Sequence, residues 1–424
     1  MNRESAAYAA YVSILQEELT PAMGCTEPIA LALAAAKARS VLGEIPDRVV
    51  LQVSGSIIKN VKSVIVPNTD NQTGIQVAIA AGIVAGNQDN ELQVLADVSP
   101  EQTEYIKSYI ETTEITVEHI ENGHVFDIVV SVFRGEHYAK IRVCDYHTNV
   151  VLVEKDGDIL KLTDCAKDIT ATDRSLMNME DIWDFATSCQ ISDVEKILEN
   201  QIQCNMAISE EGLKNNYGAQ VGRTLMDAYD GSDIRVRAKA KAAAGSDARM
   251  NGCEMPVVIN SGSGNQGITV SVPVIEYAKY LNVDRNRTLR ALTLSNLVAI
   301  HNKTGIGTLS AYCGAVSAGA GAGSGIAYLR GGDLDAIKGT VTNVLATVSG
   351  IVCDGAKASC AGKIAQSVDM AILGYEMYLR GNTLRPGDGL VAEDVESTIA
   401  NIGRLARRGM AGTNDEIIEI MIEC

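Results

Sequence analysis

GIGTLSAYCGAVSAGAGAGSGIAYL, residues 305–329, carries no charged side chain, and how it is read decides the fold. It is long enough to span a bilayer, yet it is built from Gly, Ala, Ser and Thr with few large apolar side chains, which drive insertion weakly. Small residues at this density let helices approach closely or bring backbone near a ligand. Aromatics make up only 4% of the chain, so Ala, Val, Ile and Leu must fill the core. The stretch therefore points to tightly packed helices and to no membrane partner.

The same stretch contains Cys313, which forms Cys-x39-Cys-x6-Cys with Cys353 and Cys360. Three thiolates can grip an iron-sulfur cluster and leave its fourth iron open, because a cluster normally takes four protein ligands. Three buried thiols are the other reading, and spacing alone favours it, since no C-x2-C pair marks a local site. Helices are predicted over Asp335–Ser349 and Cys360–Leu379, which lets Cys353 and Cys360 converge while Cys313 comes from across the bundle. Lys357 and Lys363 are expected to face water. Further helices are predicted over Met179–Gln190, Ser192–Asn200, Met206–Tyr217 and Glu393–Arg408, interrupted by Gly/Ser/Asn segments at 260–267, 301–307 and 313–319. The first of these, with Ser261, Gly262, Asn265 and Gln266, precedes a helix predicted after Pro273, so its N–H groups can cradle a carboxylate. It lacks a P-loop ending. The second supplies His301.

Toward the N-terminus the pattern changes. Short β-rich runs at 49–53, 115–120, 125–132, 139–143 and 150–153 alternate with helical segments around 74–85 and 100–111. Hairpin signals at Glu121-Asn122-Gly123 and Asp156-Gly157 imply a largely antiparallel sheet. The turn Val66-Pro67-Asn68-Thr69-Asp70 offers Asn68 and Thr69 to a ligand. His119, His124, His137 and His147 lie in or beside these strands without helical partner spacing, so metal ligation by histidine is not expected. Residues 4–19 form an amphipathic helix, followed by Gly24-Cys25-Thr26-Glu27-Pro28. Pro28 suits the first turn of a second helix, which sets Cys25 at a helix N-terminus, where the macrodipole favours a thiolate. Thr26 and Glu27 are its candidate substrate contacts.

The expected class is α+β: an N-terminal α/β domain with a largely antiparallel sheet plus a C-terminal all-helical catalytic domain. The expected boundaries are 1–45 for N-terminal helices packed on the catalytic half, 46–175 for the α+β domain and 176–424 for the helical cluster-binding domain. The net charge of −17 argues against nucleic acid as a partner. Ten cysteines and a charged amphipathic beginning without signal-peptide character place the chain in a reducing cytoplasm. A homo-oligomer, a dimer, is the default for an enzyme of this size.

An open cluster iron is a Lewis acid. With a base such as Cys25 taking an α-proton, it suits elimination from a β-substituted amino acid. The stretch Gly24-Cys25-Thr26-Glu27-Pro28, the segment 261–268 and Cys313 with the stretch 350–362 together resemble L-cysteine desulfidase and the wider family similar to the iron-sulfur L-serine dehydratase catalytic chain. The resemblance runs along nearly the whole chain. It implies an oxygen-sensitive [4Fe-4S] lyase, free of pyridoxal phosphate, with Cys313, Cys353 and Cys360 as cluster ligands and Cys25 as the catalytic residue. It further implies conversion of L-cysteine to pyruvate, ammonia and sulfide. Serine dehydratases carry a motif like Ser-His-Thr-x-Gly-Pro where this chain has Gly-Cys-Thr-Glu-Pro, a departure that favours cysteine as substrate. L-Serine or another β-substituted amino acid is the alternative substrate. Dehydratases of this type can also cover the fourth iron with a C-terminal cysteine, and this chain ends in Cys424. A non-catalytic iron-sulfur or thiol sensor is the alternative of another class, and a closed zinc site is disfavoured by the absence of a nearby fourth Cys or His.

Overall fold

The computed structural model describes residues 1–165, 172–307 and 309–423, with side chains through Met421. Cys424 lies outside them. The fold is α+β, as the patterning implies.

Helix α1 (Ala6–Glu18) is capped by Ser5, whose hydroxyl accepts from the Tyr8 N–H. Tyr8 and Tyr11 pack on Phe185 of the helical half. Strand β1 (Pro21–Met23) leads into α2 (Thr26–Leu42), an Ala-rich helix buried on almost every side. The chain then builds a six-stranded sheet from β2 (Arg48–Val53), β3 (Glu114–His119), β4 (Asp127–Arg134), β5 (His137–Cys144), β6 (Val150–Lys155) and β7 (Asp158–Leu162). Its order is β3-β2-β4-β5-β6-β7, with β2 and β3 parallel and the other neighbours antiparallel. The parallel pair needs a long crossover, supplied by α3 (Gly55–Val61), α4 (Ile75–Ala85) and α5 (Pro100–Thr112). A capping box between Ser99 and Gln102 starts α5.

Period-2 alternation sets which face of the sheet is buried. The rows Val49–Val132–Ala139, Leu51–Val130–Ile141 and Val53–Ile128–Val143 run across β2, β4 and β5, and every member is buried. Helix α2 packs against β4 and β5, and α4 backs it. Residues 1–45 therefore divide between the two halves: α1 meets the helices and α2 meets the sheet.

The helical half comprises α6 (Met179–Ser188), α7 (Glu195–Lys214), α8 (Val221–Ala228), α9 (Ile234–Met250), β8 (Pro256–Val258), α10 (Gly264–Tyr280), α11 (Arg285–Thr304), α12 (Gly314–Leu329), α13 (Leu334–Val348), α14 (Cys360–Leu379), α15 (Val395–Arg404) and α16 (Ala411–Glu423). The small-residue stretch becomes α12, the central helix, ringed by α10, α11, α13 and α14. A Cβ on Gly321 would stand 2.4 Å from the Ser295 carbonyl oxygen, so only glycine permits that approach. Among the described residues no helix is long and apolar enough to cross a membrane.

Three local expectations change. Pro273 lies inside α10, which begins nine residues earlier at Gly264, because burial along Gly264–Ala278 outweighs the proline signal. The segment at 301–304 is the last turn of α11, and 314–319 is the first part of α12. Small and polar residues read as loop there because they pack helix against helix. The pieces 192–200 and 206–217 merge into one α7 preceded by a short 3-10 turn.

Candidate functional site

Strand β1 pairs antiparallel with β8, Pro21 opposite Val258 and Met23 opposite Pro256. This small ladder brings the Cys25 motif of the N-terminal segment beside the loop that opens α10. On the other side Cys313 and Cys353 flank a bridge between Tyr312 and Val352, where the Cys313 N–H donates to Ile351 O at 3.1 Å and the Cys353 N–H to Ala311 O at 2.6 Å. Cys360 is the first residue of α14, while Cys25 and Cys313 are the N-caps of α2 and α12. Three of the four thiols thus sit at helix N-termini, which favour negative charge.

All four line one cavity of about 790 Å3, counting its open mouth. Thr26, Glu27, Ser261, Gly262, Asn265 and Gln266 line it too. The Cys25 thiol donates to Glu27 Oε2 at 3.0 Å, and the Thr26 hydroxyl lies 3.1 Å from Gly262 O. Ser261 has a left-handed backbone, φ 50°, an unusual conformation for a non-glycine residue. Asn260 behind it joins Asn296 and Gln201 in a buried amide chain with contacts of 2.8–3.0 Å. That network fixes the loop.

Electrostatics reverse one expectation. Cys25 is 2% exposed, and burial, then the Glu27 charge, push its thiol well above the ordinary range, against the pull of Arg249. The resting group is a thiol, not the thiolate anticipated from the helix N-terminus, because desolvation exceeds the macrodipole. Burial also raises Cys313, to about 12, with Cys353 the next contributor, and it raises Cys360. These directions describe neutral thiols at Cys25, Cys313 and Cys360; metal binding would require deprotonation of its ligands.

Asn68, Thr69 and His301 are not brought to the cavity. Asn68 donates to Leu95 O at 2.6 Å, tying its turn to the segment before α5, and the Thr69 hydroxyl donates to Val66 O at 2.8 Å within the turn. His301 Nε2 lies 2.7 Å from Glu396 Oε2 on the far face of α11. Lys363 does not simply face water: it pairs with Asp354.

Three cations or near-cations of the cavity gave no motif. Arg249 on α9 is buried with its Nε unpartnered, and burial pulls its guanidinium down while Cys25 and Glu27 pull it up. Lys303 is buried, donates to Gly307 O at 2.6 Å and is pushed by burial down to about 8. His147 is buried with Nε2 unpartnered, its ring edge-on to Phe126, and burial lowers its pKa. An orphaned buried polar atom costs about 1–3 kcal/mol, and four of them face this one cavity: Arg249 Nε, His147 Nε2, Asn265 Oδ1 and Gln266 Oε1. That concentration marks a ligand site. A donor set of three thiols beside unpaired polar groups fits a cluster with one open iron. Neither Arg249 nor His147 stands out in the sequence, since Asp247 precedes one and Asp145, Thr148 and Asn149 surround the other.

The serine dehydratase alpha chain family model matches residues 89–419. A UPF0597 protein of Desulfitobacterium hafniense is 54% identical over 424 residues, covering 100% of this chain and 98% of that protein. A UPF0597 protein of Lachnoclostridium phytofermentans is 49% identical over 418 residues, 98% of this chain and 100% of that one. Another, from Treponema denticola, is 42% identical over 430 residues, with 100% of both chains covered.

Proposed function

From a chain that belongs to the serine dehydratase alpha chain family, we infer a lyase that eliminates the β-substituent of a small L-amino acid, with L-cysteine as the favoured substrate. The observation that carries this reading is the convergence of Cys25, Cys313, Cys353 and Cys360 on one cavity with four orphaned polar atoms. Cys313, Cys353 and Cys360 would hold a [4Fe-4S] cluster. When bound, that cluster supplies a Lewis-acidic iron for the leaving group.

The chain's own residues do the remaining work. Arg249 and Lys303 bring positive charge to a dry cavity, where a substrate carboxylate is held most strongly. Asn265 Oδ1 and Gln266 Oε1 have free acceptor capacity for the ammonium group. Cys25 passes its proton to Glu27 along the 3.0 Å contact and then takes the α-proton. As the Cα–H bond electrons form the Cα=Cβ bond, the Cβ–S bond breaks and sulfide leaves. The aminoacrylate released tautomerises to an imine, and water converts it to pyruvate and ammonia.

Dehydration of L-serine is the second reading, favoured by the family description. The match begins at residue 89 and so includes the three cysteines but not the Cys25 motif. Anaerobic reconstitution with iron and sulfide, followed by assays of pyruvate, sulfide and ammonia from L-cysteine and L-serine, separates the two. Sulfide release at the higher kcat/KM supports the desulfidase reading; faster turnover of serine replaces it with the second; no turnover of either, with iron bound, sinks both and favours a sensor.

A further inference from the structure

Across Leu309 and Ser310 from the cysteine cavity, three side chains near three strand ends meet. His124 precedes β4, Cys144 ends β5 and Cys165 follows β7, and their donor atoms all lie within 4.8 Å of one another. His124 Nδ1 is 3.3 Å from Cys144 Sγ and 3.1 Å from Asp145 Oδ1. The 3.3 Å His124–Cys144 edge suits a tetrahedron with metal–sulfur bonds near 2.3 Å and metal–nitrogen bonds near 2.0 Å, values typical of zinc.

We propose that His124, Cys144 and Cys165 form a zinc site separate from the cysteine cavity, with the fourth position left to water. A mixed thiolate and imidazole set selects a borderline-soft divalent ion of this kind. The site is held from behind: Arg142 grips Asp127 through contacts of 2.9 and 2.8 Å, and its Nη2 stands 4.0 Å from Cys144 Sγ. Asn122 donates to the same Asp127 at 2.5 Å and accepts from the His124 N–H at 3.2 Å, fixing the imidazole's backbone. Cys144 is buried, whereas the His124 and Asp145 side chains are about one-third exposed, so an ion has a path in.

The expectation that no histidine ligates metal rested on helical spacing, and strand-end ligands have none. The site also borders a cavity of about 1200 Å3, counting its mouth, whose wall includes Leu309 and Ser310. Those two residues line the cysteine cavity as well. The ion would pin the end of β7 to the β4–β5 edge and so steady a wall common to both cavities.

The test uses cobalt as the probe on full-length protein stripped of metal under anaerobic conditions, carrying Cys353→Ser so that the three-cysteine set cannot dominate the signal. The expected result is one Co2+ per chain with thiolate-to-cobalt charge-transfer and tetrahedral ligand-field bands, displaced by equimolar Zn2+. Cys165→Ser and His124→Ala, both at partly exposed positions, should each weaken binding by on the order of tenfold or more. Cys144→Ser should do the same if that buried position tolerates serine. Absence of the charge-transfer band, its persistence in the Cys165→Ser/His124→Ala double variant, or a Cys144–Cys165 disulfide in anaerobically isolated protein overturns the proposal. Because cluster and substrate are absent, this result is independent of the lyase reading.

Discussion

At the scale of single residues, the Cys25–Glu27 pair carries the proposed chemistry. Serine nearly matches cysteine in size but is a far weaker acid, so Cys25→Ser should lower kcat/KM by about 10²-fold or more, the usual weight of a positioned acid–base group. Glu27→Gln should fall by a similar factor, because it removes the acceptor 3.0 Å from the sulfur. Pyruvate formation at matched iron content checks both, and a variant with near-native kcat/KM removes that residue from the mechanism. Asp247 offers a pH test apart from the cavity. Its Oδ2 accepts from the Gly222 N–H at 2.9 Å, its Oδ1 has no partner, and burial raises its carboxyl from 3.8 to about 6. Between these values the folded chain holds a proton that the unfolded chain has lost, so this contribution is full below pH 4 and disappears as pH rises through 6. Asp247→Asn keeps an acceptor for Gly222 and abolishes the dependence. Relative to the parent, the variant should gain with rising pH over this window, up to about 3 kcal/mol at two pKa units of about 1.4 each. Urea unfolding at pH 4.5 and pH 7.5 measures it, and parallel pH profiles would refute the assignment.

At the scale of elements, what could be read in the sequence followed how local its cause was. The strands 49–53 and 139–143 announced themselves as short β-rich runs, and α14 was predicted with its observed bounds, because its apolar periodicity and its start at Cys360 are local signals. The beginnings of α10 and α12 were hidden. Gly264 and Gly314 read as loop, yet each sits where a helix enters a packed interface, a fact belonging to its neighbours. β1 and β8, three residues each, had no pattern to show, although their pairing places Cys25. Arg249, His147 and Lys303 were overlooked for the same reason. Their role follows from burial beside the cavity, whereas His301, two residues before Lys303, turns to the other face of α11. The loop from Cys353 to Cys360 illustrates a constraint that only the three-dimensional neighbourhood imposes. Gly355 has φ 97°, and a Cβ there would lie 2.3 Å from the Lys59 carbonyl oxygen. Gly355→Ala should therefore cost about 1–2 kcal/mol for the left-handed backbone alone, with the clash in addition. It should lower the thermal midpoint by several degrees and reduce iron retained after anaerobic gel filtration. An unchanged midpoint would mean that the loop can adopt another path.

For the whole molecule, the α+β class could be read directly, because a glycine-rich helical half and a β-rich half differ in composition. The way they join could not, since it depends on contacts between distant segments. Lys59 on α3 is such a joint. It is 2% exposed, and its ammonium donates to Cys353 O at 3.3 Å and to Asn414 Oδ1 of α16 at 2.7 Å. One side chain thus links the sheet domain's crossover, the cysteine loop and the last helix. Burial lowers its pKa, while charges at Cys353, Glu27 and Asp354 oppose that shift, so the charge is held at a desolvation cost. Lys59→Met keeps the length and the apolar stem, removes that cost and leaves two acceptors unpaired at about 1–3 kcal/mol each. The opposing effects should leave global stability within about 1–2 kcal/mol of the parent. Local docking has no such compensation. Amide exchange in α16 and in residues 353–359 should accelerate by on the order of tenfold, the factor for a local loss of about 1.4 kcal/mol, while α12 stays protected. If α16 exchanges as slowly in Lys59→Met as in the parent, the final helix is held by its other contacts, Ile418 and the Lys62 ammonium on Met421 O among them, and Lys59 serves only the cysteine loop.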